Sequence, residues 1–333
     1  MKNITKVGLS ALAGALAMSS AYAGEMSLTG SMEVTYTKGS GYQDTGNPLG
    51  QENEMTIAAS TELDNGTSVS YKMSTTADLG RSDTELVFGT GFGTIAMTST
   101  GSPISAIDDK TPTAFEEANA QVGSIDDVNG GDGTFGIRYT LADVGGSGFA
   151  LDAMYFPKHG TGDATSDQGM SGGAHGNTDA IELALNGSVP GVDGLSLGVG
   201  YAKMSYDFKS TGTSPAATDQ DEGTAYVTYA YGPITVGYQQ GAVSVGSSNT
   251  LYRNEYIGVS YAVSDNLSIS YNTIEGTRTA TDGLRTEQDF DSVSVSYTMG
   301  GMTIGLADAD CSNCSYTVDR SQDETTLSLS VAF

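Results

Sequence analysis

Carboxylates dominate the residues that could do chemistry, and they crowd into one stretch. Between residues 100 and 133 stand Asp108, Asp109, Glu116, Glu117, Asp126, Asp127 and Asp132, with Lys110 as the sole base. Acids in this density suit two tasks. Calcium takes six to eight oxygen ligands, and the run Asp126-Asp127-Val-Asn-Gly-Gly-Asp132 is the most oxygen-rich and turn-prone candidate, although no acidic pair here has EF-hand spacing. Alternatively, fixed carboxylates act on an ion passing within a few ångströms, where low-dielectric walls focus the field.

Other chemistry has thinner support. The two histidines, His159 and His175, lie among Gly, Asp and Ser, where a solvated imidazole is the expectation, and no motif pairs either with a nucleophile. Phosphate loops, dinucleotide fingerprints in a strand-turn-helix context and zinc-spaced Cys/His clusters are all missing, and the Gly-x-Gly strings read as turns. Cys311 and Cys314 sit between two strand patterns in what reads as a secreted chain, so a small local disulfide is expected rather than a redox motif. A formal charge of −26 argues against a nucleic-acid partner, which needs concentrated Lys and Arg.

The elements that must carry these residues are strands. Lys2 and Lys6 precede an apolar run from Val7 to Met18 and an Ala21-Tyr22-Ala23 tripeptide, which reads as a signal peptide over 1–23. The remainder, 24–333, is expected to form one unit. Leu28, Gly30, Met32, Val34 and Tyr36 alternate with Ser27, Thr29, Ser31, Glu33 and Thr35, and the same two-residue period marks sixteen segments along the chain, this one included. The last segment carries Leu327, Leu329, Val331 and Phe333 on one parity. Short turns such as Leu63 to Gly66 and Gly232-Pro233 alternate with longer polar segments, at about 39–52, 78–83, 100–133, 157–177, 207–222, 242–251, 275–289 and 308–322.

Tyr36, Tyr71, Tyr139, Tyr155, Tyr201, Tyr229, Tyr231, Tyr238, Tyr261, Tyr271 and Tyr297 share the apolar parity near strand ends, as interfacial girdles would. Tyr226 is the main strand exception. The other parity is Ser- and Gly-rich, as at Ser68, Ser70, Gly198, Gly200, Ser292, Ser294, Ser296 and Ser328, and cannot fill a dry core. An all-β transmembrane antiparallel barrel of sixteen strands is therefore expected, wide enough to keep an aqueous lumen.

The chain resembles the Gram-negative general porins, and among them the alphaproteobacterial type typified by the Rhodobacter porin. The likeness is carried by the signal segment followed by Met-Ser-Leu-Thr-Gly from Met26, by Phe88-Gly-Thr-Gly-Phe-Gly-Thr94, by Ala106-Ile-Asp-Asp109 and by the terminal Phe333. It implies a homotrimer in the outer membrane, assembly through recognition of Phe333 by the barrel-assembly machinery, and passive passage of small hydrophilic solutes. It also implies a third external loop folded into the pore opposite basic wall residues, for which Lys72 and Arg138 are the candidates. Seven acids against so few bases lead us to expect a mild cation preference. No cofactor is required, with calcium an option. A substrate-specific channel and a barrel enzyme are the rival readings; a specific sugar channel would want aromatic side chains along the inward face, where Tyr226 and Phe156 are the two expected.

Overall fold

The computed structural model describes residues 26–43, 45–75, 80–115, 118, 127–131, 133–159, 177–206, 219–246 and 248–333. The signal segment and His175 lie outside these residues, as do Glu116, Glu117, Asp126 and Asp132.

Sixteen strands form the wall: β1 (Met26–Gly41), β2 (Leu49–Glu62), β3 (Ser68–Thr75), β4 (Arg81–Thr90), β5 (Gly93–Thr98), β6 (Gly136–Leu141), β7 (Phe149–Phe156) and β8 (Asn177–Ser188), then β9 (Leu195–Tyr206), β10 (Gln220–Tyr231), β11 (Ile234–Val245), β12 (Thr250–Ser264), β13 (Leu267–Thr279), β14 (Arg285–Met299), β15 (Met302–Ser312) and β16 (Ser321–Ala332). Every strand pairs antiparallel with its sequence neighbours, and β1 pairs with β16, closing the barrel. Closure leaves no strand edge, which is the condition for a sheet to sit in hydrocarbon with its backbone groups satisfied. The seam is finished by reciprocal backbone hydrogen bonds between Gly30 and Phe333.

The two-residue period sets the faces. Along β9, Leu197, Val199 and Tyr201 are exposed while Gly198, Gly200 and Ala202 between them are buried. The same outward apolar set runs round the barrel, for example Ile181, Leu183, Val236, Tyr238, Ile257, Val259, Ile304 and Leu327. Large apolar side chains outside and small ones inside invert a soluble sheet and fit a lipid exterior. At one end the turns are short: Gly232-Pro233 joins β10 to β11, and Gly232 takes φ +57°, a left-handed conformation that glycine adopts without a Cβ penalty.

Several segments expected as loops are strand. Residues 39–41, 49–52, 243–245, 275–279, 285–289 and 308–312 all continue the ladders. They extend beyond the apolar band, where both faces are polar and the alternation that marks a strand disappears, yet their backbone pairs in unbroken register, as in Glu275↔Asp289 and Asp310↔Asp323.

Candidate functional site

The lumen is where polar chemistry gathers, and the chain between β5 and β6 shapes it. Residues 99–115 of this segment run along the inner wall. Gln239, inward on β11, accepts a hydrogen bond from the Lys110 amide at 2.7 Å and donates to the carbonyls of Ile107 at 2.9 Å and Asp108 at 2.7 Å. Further on, the Ala114 amide donates to Ser270 of β13 at 2.9 Å, and Asn272 donates to the Pro112 carbonyl at 3.0 Å.

Glycines in the wall make room for the loop's apolar residues. A Cβ on Gly200 would stand 2.8 Å from Ile107, one on Gly237 2.5 Å from Pro112, and one on Gly305 2.5 Å from Phe115. The inward glycines are thus slots that seat the loop, and Ile104 and Ile107 are almost fully buried in them. Apolar burial and wall hydrogen bonds together fix this segment against β8 to β15.

On the return, the Asp127 carboxylate accepts from the Val128 amide at 2.7 Å and from the Tyr256 hydroxyl. The amides of Asn129 and Gly130 donate to Glu222 at 2.7 and 2.8 Å. Glu182 accepts from the Ser102 hydroxyl and from the amides of Ile104 and Gly131. Sequence reasoning did not single out Glu182 or Glu222; the available signal was an acid on the inward parity of an apolar strand, Glu182 between Ile181 and Leu183 and flanked by Ala180 and Ala184.

Among the sequence candidates, Asp108 is pushed up to about 7, first by burial and then by the neighbouring charges of Asp109 and Asp127. Burial also raises Asp127, against the opposing effect of its Tyr256 hydrogen bond. Asp109 is exposed and pairs with Lys110 at 3.1 Å. Arg138 lies inward on β6, where its guanidinium meets Glu85 at 2.8 Å and donates to the Gly101 carbonyl at 2.6 Å. Lys72 lies inward on β3, directly across from Glu85 in register.

The wall facing the loop is acidic. On the inward parity, β1 carries Glu33, β2 carries Glu52 and Glu54, β4 carries Asp83 and Glu85, and β16 carries Glu324. Glu33 and Glu52 are direct cross-strand partners. These acids share the inward parity with Lys72 and Arg138 but were not among the residues expected at the site.

Three further placements bear on the site. His159 is buried rather than solvated: its Nε2 lies 2.8 Å from the Ser205 carbonyl and its ring meets Tyr206 edge-on at 4.8 Å. Cys311 and Cys314 are joined to each other, at the head of a segment that sends Tyr316 inward to bond Asn254 at 3.3 Å. Inward aromatics are more numerous than Tyr226 and Phe156, since Tyr252, Tyr256, Phe290 and Tyr316 share that face, and the last three are largely buried. Among the described residues no group of three or more His, Cys, Asp or Glu side chains is arranged to hold a metal; of the calcium candidates only Asp127 is described, and its two oxygens are engaged as above.

Residues 8–308 match a family model described as Gram-negative porin. Among curated proteins no sequence matches. In structure the chain is similar to the trimer form of OmpT from Vibrio cholerae, at 12% identity and a TM-score of 0.65, with 93% of this chain and 100% of that one covered. It is also similar to an anion-selective porin from Comamonas acidovorans, at 15% identity, a TM-score of 0.65 and the same coverage. A substituted form of the Rh. blastica porin matches at 14% identity and a TM-score of 0.60, again covering 93% and 100%.

Proposed function

The chain belongs to the Gram-negative porin family, and from that premise we propose that it forms a water-filled pore for passive diffusion of ions and small hydrophilic solutes, with a preference for cations. The outer membrane is the setting that family and fold indicate. The observation that carries the selectivity is the charge on the two sides of the bore: Asp108 and Asp127 on the loop, and Glu33, Glu52, Glu54, Asp83 and Glu324 on the wall. Of the bases, Arg138 is neutralised by Glu85 and Lys110 by Asp109, and Lys72, across from Glu85, is outnumbered by the five acids of its wall. A cation entering such a bore meets attraction from both sides, strengthened by focusing between low-dielectric walls. The anion selectivity of the Comamonas protein does not transfer to this chain at 15% identity.

The mechanism uses neither a cofactor nor a catalytic group. A barrel enzyme would need an accessible base beside a nucleophile, and the described histidine is buried against a backbone carbonyl. A sugar-specific slide would need a run of exposed inward aromatics, whereas Phe156, Tyr256, Phe290 and Tyr316 are buried and Tyr226 and Tyr252 are only partly exposed. A homotrimer is part of the same reading, supported by the trimer form of the similar Vibrio cholerae OmpT. Assembly through Phe333 is supported by its exposed ring at the end of the closing strand.

The test is the reversal potential across a planar lipid bilayer bearing a KCl gradient. It should take the sign of a cation-preferring pore, and an anion-preferring sign would overturn the selectivity.

A further inference from the structure

Glu182 and Glu222 pose a physical problem that the diffusion pathway does not explain. Their side chains project inward from β8 and β10, yet they are 0% and 4% exposed, so they do not face the open bore. An ionised carboxylate taken out of water costs several kcal/mol unless its oxygens are fully engaged. In both cases the engagement comes mainly from the inner loop. Glu182 bridges the loop's two legs, taking Ser102 and Ile104 on the way out and Gly131 on the way back. Glu222 holds two successive amides, Asn129 and Gly130, on one oxygen, while Gln220 donates to the other at 2.7 Å. Successive backbone amides turned toward one anion form a concave cradle, and charge-assisted bonds of this kind are about twice as strong as neutral ones.

Gly130 shows how closely the fit is made. It adopts φ +57°, and a Cβ there would fall within 2.7 Å of both the Glu182 carboxyl carbon and the Ile104 side chain. Any other residue would be strained in its backbone and would push the loop off the wall.

We infer that Glu182 and Glu222 are positioning residues: two wall carboxylates that clamp both legs of the inner loop by its backbone amides and thereby set the bore of the pore. The assignment rests on the pore reading above and deepens it. Selectivity belongs to acids that face the bore, whereas the size limit belongs to these two acids that do not.

The experiment is liposome swelling with sugars of increasing mass, run on the full chain alongside reversal potentials. Glu182→Gln and Glu222→Gln should admit larger sugars, raising the swelling rate for a tetrasaccharide several-fold relative to a pentose. Ser102→Ala carries no charge and sits on the loop, so it should widen the bore in the same direction with the reversal potential unchanged. Glu54→Gln, on the opposite wall, should shift the reversal potential and leave the size limit as it is. Should either Gln variant fail to fold, judged by loss of heat-modifiable migration in detergent, Ser102→Ala still decides. A size limit unchanged in Ser102→Ala and in the folded Gln variants, against a wild type that conducts, would overturn the clamp; a wild type that admits no sugar would instead overturn the pore.

Discussion

At the scale of single residues, Asp108 is the group whose charge responds to ordinary conditions. Burial and the acids beside it hold its carboxyl at about 7, so it is neutral below that pH and charged above it. The sign follows directly: cation preference should grow as pH rises from 6 to 8, because one more negative charge then faces the bore. Reversal potentials over this range should show the step, and Asp108→Asn should remove it while leaving the acid-side value close to that of the wild type. A preference that strengthens on acidification would contradict the assignment. The acidity of the 100–133 stretch is plain in the sequence, but which acids are strained by burial is not. Asp109 and Asp108 are chain neighbours, yet Asp109 is exposed and Asp108 is half-buried beside the backbone that Gln239, far along the chain, holds to the wall. The loop contacts of Glu182 and Glu222 were illegible for the same reason, since their partners are separated from them by 51 to 93 residues.

The strands show a further consequence of register. Above the apolar band, Glu275 of β13 stands directly between Glu255 of β12 and Asp289 of β14, and Asp310 of β15 stands between Asp291 and Asp323. Like charges directly opposite on one face destabilise a sheet, typically by about 0.2–1 kcal/mol per pair. Glu275→Gln and Asp310→Asn should therefore each raise the thermal midpoint in detergent, and the gain should shrink in molar NaCl, where the Debye length falls to about 3 Å. A gain independent of salt would mean that packing rather than charge had changed. Strand existence and facing were legible wherever one face was apolar, as in β9 with Leu197, Val199 and Tyr201. Strand ends were not, because beyond the band both parities turn polar, and residues such as 285–289 read as loop although they pair in full register. Inward Tyr252 and Tyr256 were missed by the same route, lying at the polar start of β12.

For the whole molecule, closure is the controlling fact. Once β1 meets β16, the outward apolar positions form one continuous surface and the inward ones enclose a lumen, along whose wall residues 99–115 run. The strand number and the reversal of the usual inside and outside were readable from period and composition. The path of the loop was not, since it depends on glycine slots at Gly200, Gly237 and Gly305 that look in sequence like any other small inward residue. Single-channel recording in a planar bilayer tests the enclosed aqueous path most directly. Purified protein should add stepwise conductance proportional to KCl concentration, with closures in groups of three if the barrels assemble as trimers. Protein that inserts into the film and adds no conductance would contradict a water-filled pore.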